Sequence, residues 1–253
     1  MEPSEKTVKL FLIIQRQAGV SRRKAQDLVA SGEVGVDGAV VQYPYQLVDP
    51  DDVERLSLRG HPLSLRPPEH RVYRFHKPNG MLCSHDDPHE GNTVGRVLRS
   101  EGFIGYSWAG RLDQDAEGLL LVTNDGGLLN GLTHPRYEVV KTYRVWVDRP
   151  PRRTAVDAML QEMQRGIVDD GDRLRIVAGR MVGRPPAVEL QLTEGRKREI
   201  KRLFGHYGLQ VTRLLRVSIG PIQLGPLRPG SIERLSDEDV DRLRRVLRTP
   251  KDR

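Results

Sequence analysis

The chain has 253 residues, 37% hydrophobic and 30% charged, which is enough for one large domain or a small one plus a medium one. Its formal net charge of +7 and isoelectric point near 9.7 point to a polyanionic partner, nucleic acid first. Cys83 is the only cysteine, which excludes an intramolecular disulfide and a thiolate metal cluster; the longest apolar stretch near the start, Leu10 to Ile14, is too short for a membrane span or signal-peptide core, so a cytoplasmic protein is expected.

The first section, Val8 to Arg66, reads as two helices followed by a small hairpin. Ser21 is a good N-cap, Ala25, Leu28 and Val29 give an i, i+3, i+4 apolar stripe, and Gly32 ends the helix where a left-handed residue is wanted. Val34 and Val36 alternate into Asp37-Gly38, a favoured two-residue turn, and Val40-Val41 return. Such a unit has a small core and modest stability. His61-Pro62 to Pro67-Pro68 has the composition of a linker.

From Arg71 the pattern changes to short strands with polar turns. Val72 to Phe75 alternates and runs into the turn His76-Lys77-Pro78-Asn79-Gly80. Leu119 to Val122 reads as a core strand bounded by the turn signal Thr123-Asn124-Asp125-Gly126. Val139 to Val147 alternates with Val139, Lys141, Tyr143, Val145 and Val147 on one face, and Val188 to Leu192 is a further half-buried strand. Arg196 to Tyr207 switches to helical period, with Ile200, Leu203, Phe204 and Tyr207 as its stripe. A capping box, Ser236 to Asp239, opens a last helix carrying Val240, Leu243, Val246 and Leu247. Strands outnumber helices and are not spaced as repeated strand–helix units, which predicts an α+β fold with a mixed or antiparallel sheet.

Three stretches carry chemistry. Asp113, Asp115 and Glu117 alternate into the core strand, so an extended chain would project them on one side, as a solvated loop or a site holding a carboxylate against a substrate. Arg22, Arg23 and Lys24 begin a helix, where cations add to the positive end of the dipole and a phosphate would offset them. In the block from Arg196 to Arg202, a helix would make Lys197 and Lys201, and Arg198 and Arg202, repelling i, i+4 neighbours that RNA phosphate or a protein carboxylate must offset. Tyr143, between Lys141 and Arg144, fits a base-stacking position as well as an ordinary strand tyrosine. The seven histidines have no paired spacing and make no case for a metal site.

Together these motifs resemble the pseudouridine synthases of the RsuA type over nearly the whole chain. AGVSRRKAQDLVASGEVGVDGAVV, Ala18 to Val41, is similar to the small RNA-binding domain shared with ribosomal protein S-four. HKPNG (His76–Gly80), GRLDQDAEGLLLVTNDG (Gly110–Gly126), KTY (Lys141–Tyr143) and EGRKREIKRLF (Glu194–Phe204) resemble the catalytic domain in the family's order. The resemblance implies an α+β protein: an S-four-type RNA-binding domain over 8–66, a linker over 67–70, a catalytic domain with a mixed, mainly antiparallel sheet over 71–247, and a tail over 248–253. It implies that Asp113 is the catalytic aspartate and that Asp115 and Glu117 order the loop. Tyr143 would stack on the target base, Lys201 would pair with the catalytic carboxylate, and Arg111 would handle the flipped nucleotide.

The expected activity is isomerisation of one uridine in ribosomal RNA. The ending Arg213 to Gly230 is closer to members acting on the large subunit than to those acting on the small one. Arg22, Arg23, Lys24, Lys197 and Arg198 are the expected RNA contacts, no cofactor or metal is expected, and the protein is expected to act as a monomer on ribosomal RNA or an assembly intermediate. Two other readings compete: a ribosome-associated protein with an inert catalytic domain, against which intact Asp113, Tyr143 and Lys201 argue, and a glycosidase using Asp113 and Asp115 as its acid–base pair, for which the basic surface is unsuited.

Overall fold

The run from Leu119 to Val122 is fully buried, with no residue above 0% exposure, and forms the middle of the main sheet. The computed structural model describes residues 7–64 and 69–248. Residues 67 and 68 of the expected linker and 249–253 of the expected tail lie outside them. The chain divides into two units, each with its own core: one holds the segment up to His70 with His85–Gly91 and Gly95–Ser107, the other holds Arg71–Ser84, Asn92–Val94 and the chain from Trp108.

In the first unit helices span Leu10–Ala18 and Arg22–Ala30, and the helix Val94–Ser100 belongs to it from Gly95 on. The Ser21 hydroxyl accepts from the Lys24 N–H at 3.2 Å, and Gly32 has the positive φ of +75° expected of it. Leu10, Ile14, Ala25, Leu28 and Val29 meet Val34 and Leu56 in the core. The hairpin Val34–Val36 and Ala39–Val41 turns through Asp37 and Gly38, both at positive φ, as its type requires. The linker reading of His61 onward is overturned for His61–Leu63, which pairs with Leu56–Leu58 at the edge of an antiparallel four-stranded sheet. A strand containing Pro62 is tolerated there because an edge leaves one side of its backbone unpaired.

The second unit is built on one sheet, with strands β1 (Val72–Lys77), β2 (Glu117–Thr123), β3 (Lys141–Val147), β4 (Ala178–Val182), β5 (Ala187–Leu192), β6 (Val211–Ile219) and β7 (Ile232–Arg234). Their spatial order is β4-β5-β3-β6-β2-β1-β7. Every neighbouring pair is antiparallel except β6 with β2, which run parallel. This is the mixed, mainly antiparallel α+β arrangement the sequence predicts. Helices α1 (Gly126–Thr133), α2 (Arg153–Arg165), α3 (Glu199–His206) and α4 (Asp237–Arg248) complete it.

Each helix has a local cause. Asp125 caps α1 by accepting from the Leu128 N–H at 3.0 Å, so the polar tetrapeptide read as a turn opens a helix whose Leu128 and Leu132 are buried. Helix α2 buries Val156, Met159, Leu160 and Met163 at helical spacing. Ser236 caps α4 as expected, but Val246 is 38% exposed and stays out of the core. Helix α3 is shorter than predicted: Arg198 takes a left-handed conformation at φ +52° and the helix begins only at Glu199. Lys197 and Arg198 therefore precede the helix, and the repelling i, i+4 pairs with Lys201 and Arg202 do not form. Among the described residues no helix is long and apolar enough to cross a membrane.

Candidate active site

The three acids entering β2 do not share a side, because the chain between Asp113 and Ala116 is a turn, closed by the Ala116 N–H on the Asp113 carbonyl at 3.1 Å. Their fates separate. Glu117 is buried and receives the Arg213 Nε at 2.5 Å. Asp115 is ion-paired with Lys201, whose hydrogen bond holds its carboxyl below the usual carboxylate range. Among the described residues the half-buried Asp113 carboxylate makes no hydrogen bond or ion pair, and it lines a cavity of about 730 Å³. In this structure Lys201 meets Asp115, where the resemblance implied a pairing with Asp113. The turn at Gln114-Asp115 carries the second aspartate to the lysine and leaves Asp113 open.

The same cavity collects residues from several places in the chain. Tyr143 and Lys141 come from β3, Ile200 and Lys201 from α3, Lys197 and Arg198 from the turn before it, and Arg111 from the loop carrying Asp113. The expected residues Asp113, Arg111, Tyr143, Lys201, Lys197 and Arg198 therefore converge. Arg22, Arg23 and Lys24 lie in the other unit, where all three are exposed and the Arg22 guanidinium sits 5.1 Å from the centre of the Phe11 ring.

Two cations fix the loop. Lys77, at the end of β1, is fully buried, and its ammonium donates to the carbonyls of Ala116 at 2.6 Å, Pro78 at 3.0 Å and Gln114 at 3.3 Å. Burial lowers its pKa, and the carbonyl cage keeps the buried head satisfied. Arg216 was not singled out in the sequence. It lies on β6, in register with Tyr143 of β3 on one side and Gly118 of β2 on the other, and is 1% exposed. Its Nε donates to the Leu119 carbonyl at 2.7 Å, and its Nη1 to the Arg111 carbonyl at 3.3 Å and the Tyr143 hydroxyl at 3.5 Å. One side chain thereby ties the Asp113 loop to the aromatic residue. The approach is possible because residue 118 is glycine: its φ is +113°, and a Cβ there would stand 2.4 Å from the Arg216 carbonyl oxygen.

The cavity is electropositive but not uniformly so. Three of the five cations of the basic block are paired within the protein: besides Lys201 with Asp115, Arg202 meets Asp169 at 2.5 Å and Asp172 at 2.8 Å, and Arg196 pairs with Asp172 and Glu194. Glu199 is buried, which raises its pKa, and it accepts from the Arg196 N–H at 3.0 Å, fixing the start of α3. Burial, with the Arg216 charge adding to it, pulls the Lys141 ammonium down to about 8. That ammonium donates to the Val139 carbonyl at 3.1 Å and the Thr193 carbonyl at 3.4 Å. An open carboxylate, a tyrosine ring and a rim of cations suit an anionic substrate with a flat group, and a cavity of this size encloses a small ligand.

A model of the RNA pseudouridylate synthase family matches residues 71–206. The chain is 36% identical over 234 residues to an uncharacterized RNA pseudouridine synthase of Aquifex aeolicus, covering 90% of each. It is 33% identical over 260 residues to the ribosomal large subunit pseudouridine synthase B of Haemophilus influenzae, covering 98% of this chain and 70% of that one. It is also 35% identical over 225 residues to the ribosomal small subunit pseudouridine synthase A of Vibrio cholerae, covering 88% and 93%. A solved pseudouridylate synthase structure superposes with a TM-score of 0.63 at 26% identity, covering 93% of this chain and 99% of that one.

Proposed function

The chain belongs to the RNA pseudouridylate synthase family and is an isomerase, and from that premise we propose that it converts one uridine of ribosomal RNA into pseudouridine with Asp113 as the catalytic residue. The observation that carries this reading is the asymmetry of the acids: Asp115 and Glu117 are held by Lys201 and Arg213, while Asp113 faces the cavity unpaired among the described residues. In the reaction the bond from C1′ to N1 breaks, the uracil turns, and a bond from C1′ to C5 forms. The C5 proton is lost and N1 gains one. A carboxylate serves this either by attacking C1′ as uracil leaves or by removing a proton from C2′.

The other residues divide the remaining work. Tyr143 offers its ring to the base, a stack worth about 1–3 kcal/mol, and holds the uracil while it is detached. Arg111, Lys197 and Arg198 offer cations to the backbone of the flipped nucleotide, and Lys201 orders the loop through Asp115 instead of contacting Asp113. No cofactor is needed for an isomerisation without redox change. Residues 8–66 are assigned as an S-four-type RNA-binding domain in which Arg22, Arg23 and Lys24 take phosphates. The enzyme is assigned to the cytoplasm and to action as a monomer.

Within ribosomal RNA we favour the large-subunit molecule, on the resemblance of Arg213 to Gly230. Transcripts of the large- and small-subunit RNAs labelled with tritium at uracil C5 test this, because turnover releases the label. Release from the large-subunit transcript or its assembly intermediate is expected. Release from the small-subunit RNA alone would reverse the preference, and release from neither would leave an RNA-binding assembly factor as the better reading.

A further inference from the structure

A second cavity, of about 430 Å³, adjoins the first along the chain: Pro135 and Lys141 line the catalytic cavity, Arg136, Tyr137 and Val140 line the second, and Thr193 lines both. We propose that this second cavity is a subsite for a nucleotide flanking the target uridine, with the base stacked on the Arg136–Tyr137 pair and its phosphate met by Arg175. The proposal rests on the reading of the protein as an RNA isomerase and extends it to substrate selection.

Three observations support it. Arg136 and Tyr137 form a short 3₁₀ turn that begins at Pro135 and is capped by His134, whose Nδ1 accepts from the Arg136 N–H at 3.2 Å. There the Arg136 guanidinium lies 4.6 Å from the Tyr137 ring centre and donates to its hydroxyl at 2.5 Å, giving a flat cationic platform on an exposed side chain. Guanidinium planes and aromatic rings are the surfaces on which unpaired RNA bases stack. Arg175 is exposed on the cavity lining; its backbone N–H meets Glu199, but among the described residues neither its guanidinium nor that of Arg136 is in an ion pair. Val177 and Val246, 50% and 38% exposed, add apolar surface that a base would cover.

The position gives the site its use. Lys141 donates to the Val139 and Thr193 carbonyls, which pins the ridge at Thr193 that both cavities share. A strand whose uridine occupies the catalytic cavity crosses that ridge with its next nucleotide. Stacking there is sequence-tolerant, but the cavity walls limit the size of the base, and this discriminates among uridines in similar loops.

The test uses Arg136→Gln/Tyr137→Leu/Arg175→Gln in the full chain, with thermal melting to verify folding. Binding of a fluorescein-labelled decauridylate is measured by anisotropy at several salt concentrations, in the Asp113→Asn background so that no turnover intervenes. Affinity is expected to fall about ten-fold, and the slope of log affinity against log salt to drop by about 0.7 per lost cation. In turnover on tritiated ribosomal RNA, kcat/KM is expected to fall similarly, mostly through KM. Unchanged affinity and slope would overturn the subsite. If wild type releases no tritium from ribosomal RNA while decauridylate binding still drops in the variant, the substrate reading fails and the subsite stands. If the triple variant does not fold, Tyr137→Leu alone carries the test, with a loss of at least three-fold expected.

Discussion

The Asp113 cavity and the basic helix start of the first unit both gather cations, and they use them differently. Around the cavity, charge is committed. Lys77 is caged by three carbonyls, Arg216 bridges two strands, Lys201 holds Asp115, and Arg196 and Arg202 share Asp172. At Arg22, Arg23 and Lys24 the side chains are exposed, and Arg22 packs over the Phe11 ring. Buried cations held by hydrogen bonds, as Lys77 and Arg216 are, fix geometry, because moving one leaves a charge or a carbonyl unpaired at a cost of several kcal/mol. Exposed cations set long-range attraction and cost little to rearrange. The difference predicts that substitutions in the first region change rate and stability, and those in the second change salt dependence.

The largest effect is expected at Asp113. Asp113→Asn keeps size and removes the charge, so tritium release should drop below detection while RNA affinity stays within about two-fold. Arg216→Met comes next: it strips donors from the Leu119 and Arg111 carbonyls and from Tyr143, and should cost about 2–3 kcal/mol in denaturant unfolding along with about a hundred-fold in kcat. Arg216→Lys, which keeps the charge but not the fork, should recover stability more than rate.

Lys201→Met and Asp115→Asn sharpen the comparison because they break one pair from either end. The pair is partly exposed on the aspartate side, so each should change stability by less than about 1 kcal/mol. Each should lower kcat/KM by roughly ten-fold, and the double variant should be no worse than either single one. A far larger loss in Lys201→Met than in Asp115→Asn would mean the ammonium moves to Asp113 during the reaction. The sign with pH follows from Asp115: its folded pKa is depressed, so the pair's small contribution is complete above the unfolded value of 3.8 and is lost as pH falls through the lower folded one. Lys201→Met should remove that acid limb.

Lys141 tests burial from the basic side. Its folded pKa of about 8 lies below the ordinary 10.5, so between those values the unfolded chain binds more protons and stability rises with pH. Unfolding of wild type and Lys141→Met, compared over that window, should diverge by on the order of 2 kcal/mol. The smallest effect on chemistry belongs to Arg22, Arg23 and Lys24. Replacing all three with Gln should lower the salt slope of RNA binding by about 0.7–0.9 per cation while kcat at saturating RNA changes by less than about two-fold. Parallel slopes would mean these charges are only solvated.

The sequence was most legible where a residue's job is local. The Ser21 cap, the Asp37-Gly38 turn and the buried strand after Glu117 follow from capping, positive φ and apolar runs, and all stand in the structure. Helix α1 was hidden because Asp125-Gly126-Gly127 has turn composition, although the same aspartate caps a helix. The start of α3 was misplaced because helical period cannot register the left-handed Arg198. Motifs singled out Asp113, Tyr143 and Lys201, which line one cavity, but the partner of Lys201 depends on where a two-residue turn points Asp115. Arg216 carried one signal that could have been used: in Leu214-Leu215-Arg216-Val217-Ser218 it stands at the inward, alternate positions shared with Leu214 and Ser218, where an arginine must be buried and partnered.

The central claim is that the free carboxylate of Asp113 carries out an isomerisation on ribosomal RNA. Mapping pseudouridines in ribosomal RNA from cells that carry the wild-type gene, no gene, or the Asp113→Asn gene tests it directly. A pseudouridine present with the wild-type gene and absent from both other strains is the expected result. Restoration of that pseudouridine by Asp113→Asn, or identical maps in all three strains, would contradict the account.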